Sequence, residues 1–324
     1  PRLDEREFER LKAERLNDIL QARSDPGRLA DESFLREVYA ADMPYGRLSA
    51  GTPESVGALD VAAARNFHAS RYAPKIADIV IAGAIESDAA LAEVERHLGE
   101  WSGNGTGHRT FEPRQRSGRR VVLVDRPGSV QSELRVGHLG IDRHHPRYFP
   151  ALVMAALLGG VFSSRLNLRL REELGYTYSA RCSFDARRAL GPFTATAAVQ
   201  TEVTVDAIRE LLGQLERMRV EAPVPDELAE VRDFLVGIFP LRFETTTGIA
   251  TAIEPLAVYD LPDDYWHTYR SRLETVTADD VLGAARELVR PDEALILLTG
   301  DAALLRDDLA AADLGPLEVV PAQA

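Results

Sequence analysis

The 324 residues are 45% apolar and 27% charged, a soluble globular composition long enough for two domains, and their net charge of −13 argues against nucleic acid, whose phosphates demand a basic face. The lone cysteine, Cys182, excludes an intramolecular disulfide and a cysteine-based zinc site. The longest apolar run, "ALVMAALLGGVF", falls short of the ~18 residues that a membrane span requires and reads as a buried core helix.

The chain opens on "PRLDEREFERLKAERL", a charged amphipathic helix and not a signal peptide. The absence of an initiator methionine leaves room for a start further upstream. From Glu54 the stretch "ESVGALDVAAARNFHASRYAPKIADIVIAGAIESDAAL" gives a helix, a proline turn, a strand and Gly83. A second stretch, "ETVTADDVLGAARELVRPDEALILLTGDAALL" from Glu274, repeats that order and ends on Gly300. The offset is 220 residues at the start and 217 at the glycines, so one small deletion relates two copies of one unit. Between them "GNGTGHRTFEPRQRSG", residues 103–118, has the composition of a linker. The expected organisation is therefore the C-terminal half of a first domain at residues 1–102, the linker at 103–118, and a second, full-length domain at 119–324. The first domain is expected to lack its front, which would leave core surface exposed and makes self-association an expectation too.

In the second domain "RVVLVD" and "SELRVGHLG" read as strands around the turn "RPGS". "YFPALVMAALLGG" is apolar all round and is expected as a buried helix. "GPFTATAAVQ" alternates as a half-buried antiparallel strand, and two amphipathic helices follow. Strands clustered ahead of helices place the chain in the α+β class, as two homologous mixed domains.

The densest chemistry lies in "SSRLNLRLREELGYTYSARCSF", residues 163–184. Leu166, Leu170 and Leu174 make one stripe on a short helix, with Arg169 and Arg171 flanking it on opposite sides, so helical geometry does not choose between the two arginines. Gly175 is expected to stop the helix. Beyond it Tyr176, Tyr178, Ala180 and Cys182 would share one strand face, turning Tyr178 toward packed protein with a hydroxyl in need of a partner. Read without further context, Arg171 is a solvated helix arginine and Tyr178 a core tyrosine.

The whole run "DRPGSVQSELRVGHLGIDRHHPRYFPALVMAALLGGVFSSRLNLRLREELGYTYSARCSF" resembles the C-terminal domain of insulinase/pitrilysin-type zinc metallopeptidases, the inverzincin family that includes mitochondrial processing peptidase. "FHASRYAPKIADIVIAGAI" is similar to the end of that family's N-terminal domain. The resemblance implies two homologous α+β domains facing each other around a chamber. It also implies an arginine and a tyrosine seven residues apart that bind substrate backbone near the scissile bond. Two pairs here have that spacing, Arg169 with Tyr176 and Arg171 with Tyr178. The family's tyrosine is typically followed by serine, which favours Arg171 and Tyr178. A guanidinium fork and a phenol can both donate to carbonyls and to a developing oxyanion.

The family holds zinc with H-x-x-E-H on a helix and a later glutamate. That motif is absent: His68, His97, His108, His138 and His267 are isolated, and His144 and His145 are adjacent in a loop where facial zinc geometry is not expected. Alignment through "MPYGR" puts Ile19 at the position of the third ligand, with Asp18 beside it and Glu14 five residues early. No cofactor is expected in this chain. Nor does the sequence contain G-x-S-x-G, a P-loop or C-x-x-C.

What the resemblance implies is a zinc-less subunit, inactive alone. It would lend Arg171 and Tyr178 to a homologous partner carrying H-x-x-E-H and zinc, and would enclose unfolded peptide with it. Two other outcomes are compatible with the same residues. One is a structural homologue with no peptidase role, as in respiratory-complex core subunits; the other is a fragment of a single active chain. The compartment does not follow from the sequence; bacterial cytoplasm and periplasm both fit a soluble chain.

Overall fold

A computed structural model describes residues 1–107, 111–114 and 117–322. His108 and part of the 103–118 segment lie outside the described residues. The chain divides into two units, each built from separate segments. One comprises Pro1–Ile19, Ala50–Phe111 and Gly237–Tyr269; the other comprises Leu20–Ser49, Glu112–Val236 and Arg270–Ala324.

The larger unit is organised by six strands: β1 (Arg120–Asp125), β2 (Gln131–Leu139), β3 (Ala180–Phe184), β4 (Pro192–Gln200), β5 (Leu295–Gly300) and β6 (Leu317–Pro321). They form one mixed sheet in the order β3-β4-β2-β5-β1-β6. β1 runs parallel to β5 and β6, and the remaining pairs are antiparallel. The sequence "LILLTG" explains why β5 takes the middle. Every residue in it is buried, as a strand flanked on both edges and both faces must be.

Alternation along β2 fixes what covers each face. Ser132 Oγ lies 2.7 Å from Thr204 Oγ1, at the start of the helix Thr204–Val220. Three residues on, Arg135 donates to Asp31 at 2.5 Å and to the Gly27 carbonyl at 3.0 Å, both on the helix Pro26–Val38. An odd separation along a strand means opposite faces, so the sheet is covered on both sides. The Arg135 guanidinium is buried, and Glu133 at 3.1 Å adds a second carboxylate, as a buried charge requires.

The apolar stretch at 148–160 forms a buried helix whose character changes along its length, α-helical over Tyr148–Ala155 and π-helical over Ala156–Gly160. It packs with Ala284 and Leu288 of the helix Ala278–Leu288. The α+β class expected from the sequence is the class observed.

In the smaller unit an aromatic cluster gathers Phe239, Phe243, Trp266 and Tyr269, with Phe239 stacked on Tyr269 at 5.1 Å. Trp266 satisfies its indole N–H on the Ala252 carbonyl at 2.7 Å. The repeated stretches agree element by element at first. The helices Val61–Arg71 and Ala278–Leu288 are followed by single turns at Pro74–Ile76 and Pro291–Glu293. They then diverge, because residues 77–82 form no strand where a strand is expected. The physical reason is pairing. β5 exchanges hydrogen bonds with a neighbour on each edge, whereas no strand lies beside 77–82 among the described residues. Ile79 and Ile81 are correspondingly about half exposed, and Ala73 is the one buried residue between 57 and 107.

Candidate functional site

The two candidate residues sit on one short excursion from the sheet. Asn167–Glu173 is a π-helical segment, and Arg171 stands in its last turn. π-Turns recur at functional sites because they rotate side chains off the regular helical ladder. Leu166 and Leu170 are fully buried and anchor the segment. Gly175 then takes φ +65°, a conformation that costs an ordinary side chain about 1 kcal/mol, and reverses the chain. Tyr176 N donates back to the Leu170 carbonyl at 2.8 Å.

β3 begins only at Ala180, opposite Ala197 of β4. This corrects the expectation for Tyr178. Residues 175–179 are not strand, so the strand's inward parity does not reach position 178, and Tyr178 is 90% exposed. From Ala180 on the alternation holds, with Ala180 and Cys182 buried and Arg181 and Ser183 outside. Thr177, between the tyrosines, is buried; its hydroxyl donates to the Ser179 carbonyl at 2.9 Å and accepts from Ser179 N at 3.2 Å.

Arg171 and Tyr178 line one cavity of about 360 Å³, together with Gln131, Glu172, Gly175, Tyr176, Thr177, Ala198 and Gln200. Gln131 and Gln200 are direct cross-strand partners at the ends of β2 and β4, which brings two side-chain amides to the cavity wall.

The two arginines that helical geometry could not separate have different surroundings. Arg169 is committed to carboxylates. Its guanidinium grips both oxygens of Glu210 at 2.8 Å each and reaches Glu173 at 2.7 Å. The hydrogen bond from Arg169 holds the Glu210 carboxyl below the usual carboxylate range. Among the described residues Arg171 has one carboxylate partner, Glu172, 3.4 Å from its Nε, and it rests on the Phe162 ring with its guanidinium carbon 4.4 Å from the ring centre. A guanidinium resting on an aromatic face spends no N–H donor on the ring, so its fork can still donate to a carbonyl.

Phe162, Gln131 and Gln200 were not singled out from the sequence. The glutamines could have been found from strand register alone, since both stand at strand ends facing the same turn. Phe162 carried no signal, because its position under Arg171 depends on how the chain turns between two π-segments.

The residues present do not fit a zinc site. Ile19, at the position where the third ligand was sought, is buried and apolar. No group of three His, Cys, Asp or Glu is placed to hold a metal among the described residues. His138 is buried in β2, with Nδ1 2.8 Å from the Leu139 carbonyl and Nε2 accepting from Arg290 N at 2.9 Å. Both ring nitrogens are occupied. His145 lies 3.8 Å from Glu287, and its Nδ1 accepts from Arg147 N at 3.2 Å. No helix is long and apolar enough to cross a membrane among the described residues.

Residues 58–235 match the family model described as the peptidase M16 inactive domain. An uncharacterized zinc protease of Mycobacterium tuberculosis is 28% identical over 280 residues, which is 85% of this chain and 63% of that relative. The chain thus spans less than two thirds of the relative's length. The crystal structure of a peptidase M16 inactive domain from Pseudomonas fluorescens superposes with TM-score 0.84 at 22% identity, over 93% of this chain and 72% of that one. A chain of complex III from Candida albicans shares the fold with TM-score 0.75 at 14% identity, over 94% and 73% of the two chains.

Proposed function

Because the chain belongs to the peptidase M16 inactive-domain family, we propose that it is the zinc-less, substrate-gripping half of a metallopeptidase. A homologous partner that carries H-x-x-E-H and zinc would do the cutting. The observation that carries the reading is the shared cavity of Arg171 and Tyr178, in which one arginine is left for a ligand while its neighbour Arg169 is tied to Glu210. Arg171 would donate through its fork to a backbone carbonyl of an extended peptide. Tyr178, exposed and among the four residues between Gly175 and Ala180, would donate its O–H to the same peptide near the bond that breaks. Zinc, bound by the partner, supplies the activated water. The two amides of Gln131 and Gln200 can each give and take a hydrogen bond, which suits a peptide backbone.

The whole protein's activity, its partner and its arrangement of domains around a chamber belong to this proposal. So does the division into a partial first domain at 1–102 and a full second domain at 119–324. A role as a scaffold without peptide binding is the competing reading; a chain of complex III has this fold, and fold alone does not choose. The deciding experiment is reconstitution. The isolated chain should leave an unfolded substrate such as casein intact, and mixing it with its H-x-x-E-H homologue should produce cleavage that neither gives alone. Cleavage by the homologue at an unchanged rate, with or without this chain, would reject the proposal.

A further inference from the structure

The excursion that carries Arg171 and Tyr178 is closed at its base by one side chain. Asn167 is buried at 7% exposure, and all its polar capacity except one lone pair is in use. Its amide nitrogen donates to the Val161 carbonyl and to Ser164 Oγ, both at 3.1 Å. Its amide oxygen accepts from Ala180 N at 2.9 Å. The orientation of the amide is fixed by chemistry, since a backbone carbonyl can only accept and a backbone N–H can only donate.

Two of these partners, and Asn167 itself, fall at meaningful places. Val161 ends the first π-segment and directly precedes Phe162, the ring under Arg171. Ala180 is the first residue of β3 and the root of the turn that holds Tyr178. Asn167 itself opens the π-segment that carries Arg171. One amide therefore ties together the seat of the arginine, the helix that bears it, and the strand from which the tyrosine hangs. The residues between Gly175 and Ala180 lie outside helix and strand, so the position of Tyr178 is set by such anchors and not by a ladder.

We infer that Asn167 is a positioning residue that holds Arg171 and Tyr178 in register with each other for a peptide ligand. This inference rests on the peptide-binding reading and makes a statement that can fail separately from it. An aliphatic replacement leaves the Ala180 N–H without the Asn167 acceptor and the Val161 carbonyl with the Ser164 N–H alone, at 3.2 Å, which loosens both ends of the excursion.

The test uses the full chain with Asn167→Ala and Asn167→Asp, the second keeping an acceptor for Ala180 N while losing both donors. Fluorine NMR of protein labelled with 3-fluorotyrosine, with the Tyr178 signal assigned by Tyr178→Phe, reports the turn directly. Fluorescein-labelled casein reports binding by anisotropy. The expected result is a folded protein by circular dichroism, a shifted or split Tyr178 signal in both variants, and casein affinity weakened at least tenfold. Arg171→Ala added to Asn167→Ala should cost less than its effect in the wild type, because the fork is already displaced. An unmoved Tyr178 signal in either folded variant would overturn the inference. So would wild-type casein affinity in a folded Asn167→Ala protein when Arg171→Ala alone abolishes it. If casein binding is absent from the wild type or indifferent to Arg171→Ala, the peptide reading fails instead, and the inference falls with it whatever the fluorine signal shows. Should Asn167→Ala not fold, Asn167→Asp and Ser164→Ala carry the same readouts.

Discussion

Acidification should destabilise the larger unit through one histidine. Burial pushes the His138 imidazole down from 6.5 to about 4; the Leu139 carbonyl opposes that shift and the nearby Arg290 cation adds to it. The sign follows from proton counting. Between pH 6.5 and 4 the unfolded chain protonates this residue and the folded chain does not, so protons favour the unfolded state. The stability that His138 contributes is complete above pH 6.5 and is lost as pH falls toward 4. A difference of that size corresponds to ~3 kcal/mol across the window, at about 1.4 kcal/mol per pH unit. This is a sizeable share of the ~5–15 kcal/mol that a domain has to lose. Urea unfolding measured from pH 7.5 to 4.5 gives the slope, and His138→Gln, which keeps an acceptor for Arg290 N, provides the comparison. The absolute stability of the variant is not the readout, because its packing against Phe193 changes too. What counts is the difference in pH slope. Equal slopes in the two proteins would refute the burial argument, and so would protonation of His138 near its ordinary pKa in the folded state by NMR titration.

Arg169→Ala should leave casein affinity within twofold, whereas Arg171→Ala should reduce it more than tenfold, because only the second guanidinium is uncommitted to a strong carboxylate pair; anisotropy titration of both variants decides. Gly159→Ala should cost ~1–3 kcal/mol in urea unfolding, since a Cβ there would stand 2.5 Å from Cys182 N and the neighbour is strand backbone that cannot yield easily. Cys182 is buried, and burial raises its thiol pKa, so iodoacetamide should label it only under denaturing conditions when followed by mass spectrometry. Metal analysis of the purified chain should find zinc well below one equivalent, and a stoichiometric ion that resists dialysis would contradict the site assignment.

The sheet was legible because its signals are local. Valines in "RVVLVD" and the alternation of Phe193, Ala195, Ala197 and Val199 mark strands whatever surrounds them. Positions 77–82 carry the same kind of apolar run and form no strand, because a strand needs a hydrogen-bonding neighbour and sequence pattern does not report one. At the site, the seven-residue spacing implied by the resemblance fitted two pairs and the serine after Tyr178 favoured Arg171 and Tyr178, while the glycine between them was read correctly as the stop. The inward orientation of Tyr178 was a misreading with a specific cause. Parity was extended back through residues that precede the first β3–β4 pair. That Arg169 is tied to Glu210, forty-one residues downstream, is a difference between the two arginines that no local pattern carries.

The role of Arg171 and Tyr178 is tested most directly by steady-state cleavage of an unfolded peptide by this chain together with its H-x-x-E-H homologue, with Arg171→Ala and Tyr178→Phe introduced here and nothing changed in the zinc subunit. The expected outcome is a loss of more than tenfold in kcat/KM for each variant, at least ~1.4 kcal/mol of transition-state stabilisation, with zinc content of the homologue unaltered. Wild-type kcat/KM in both folded variants would show that the cavity at residues 171–178 does not handle the substrate.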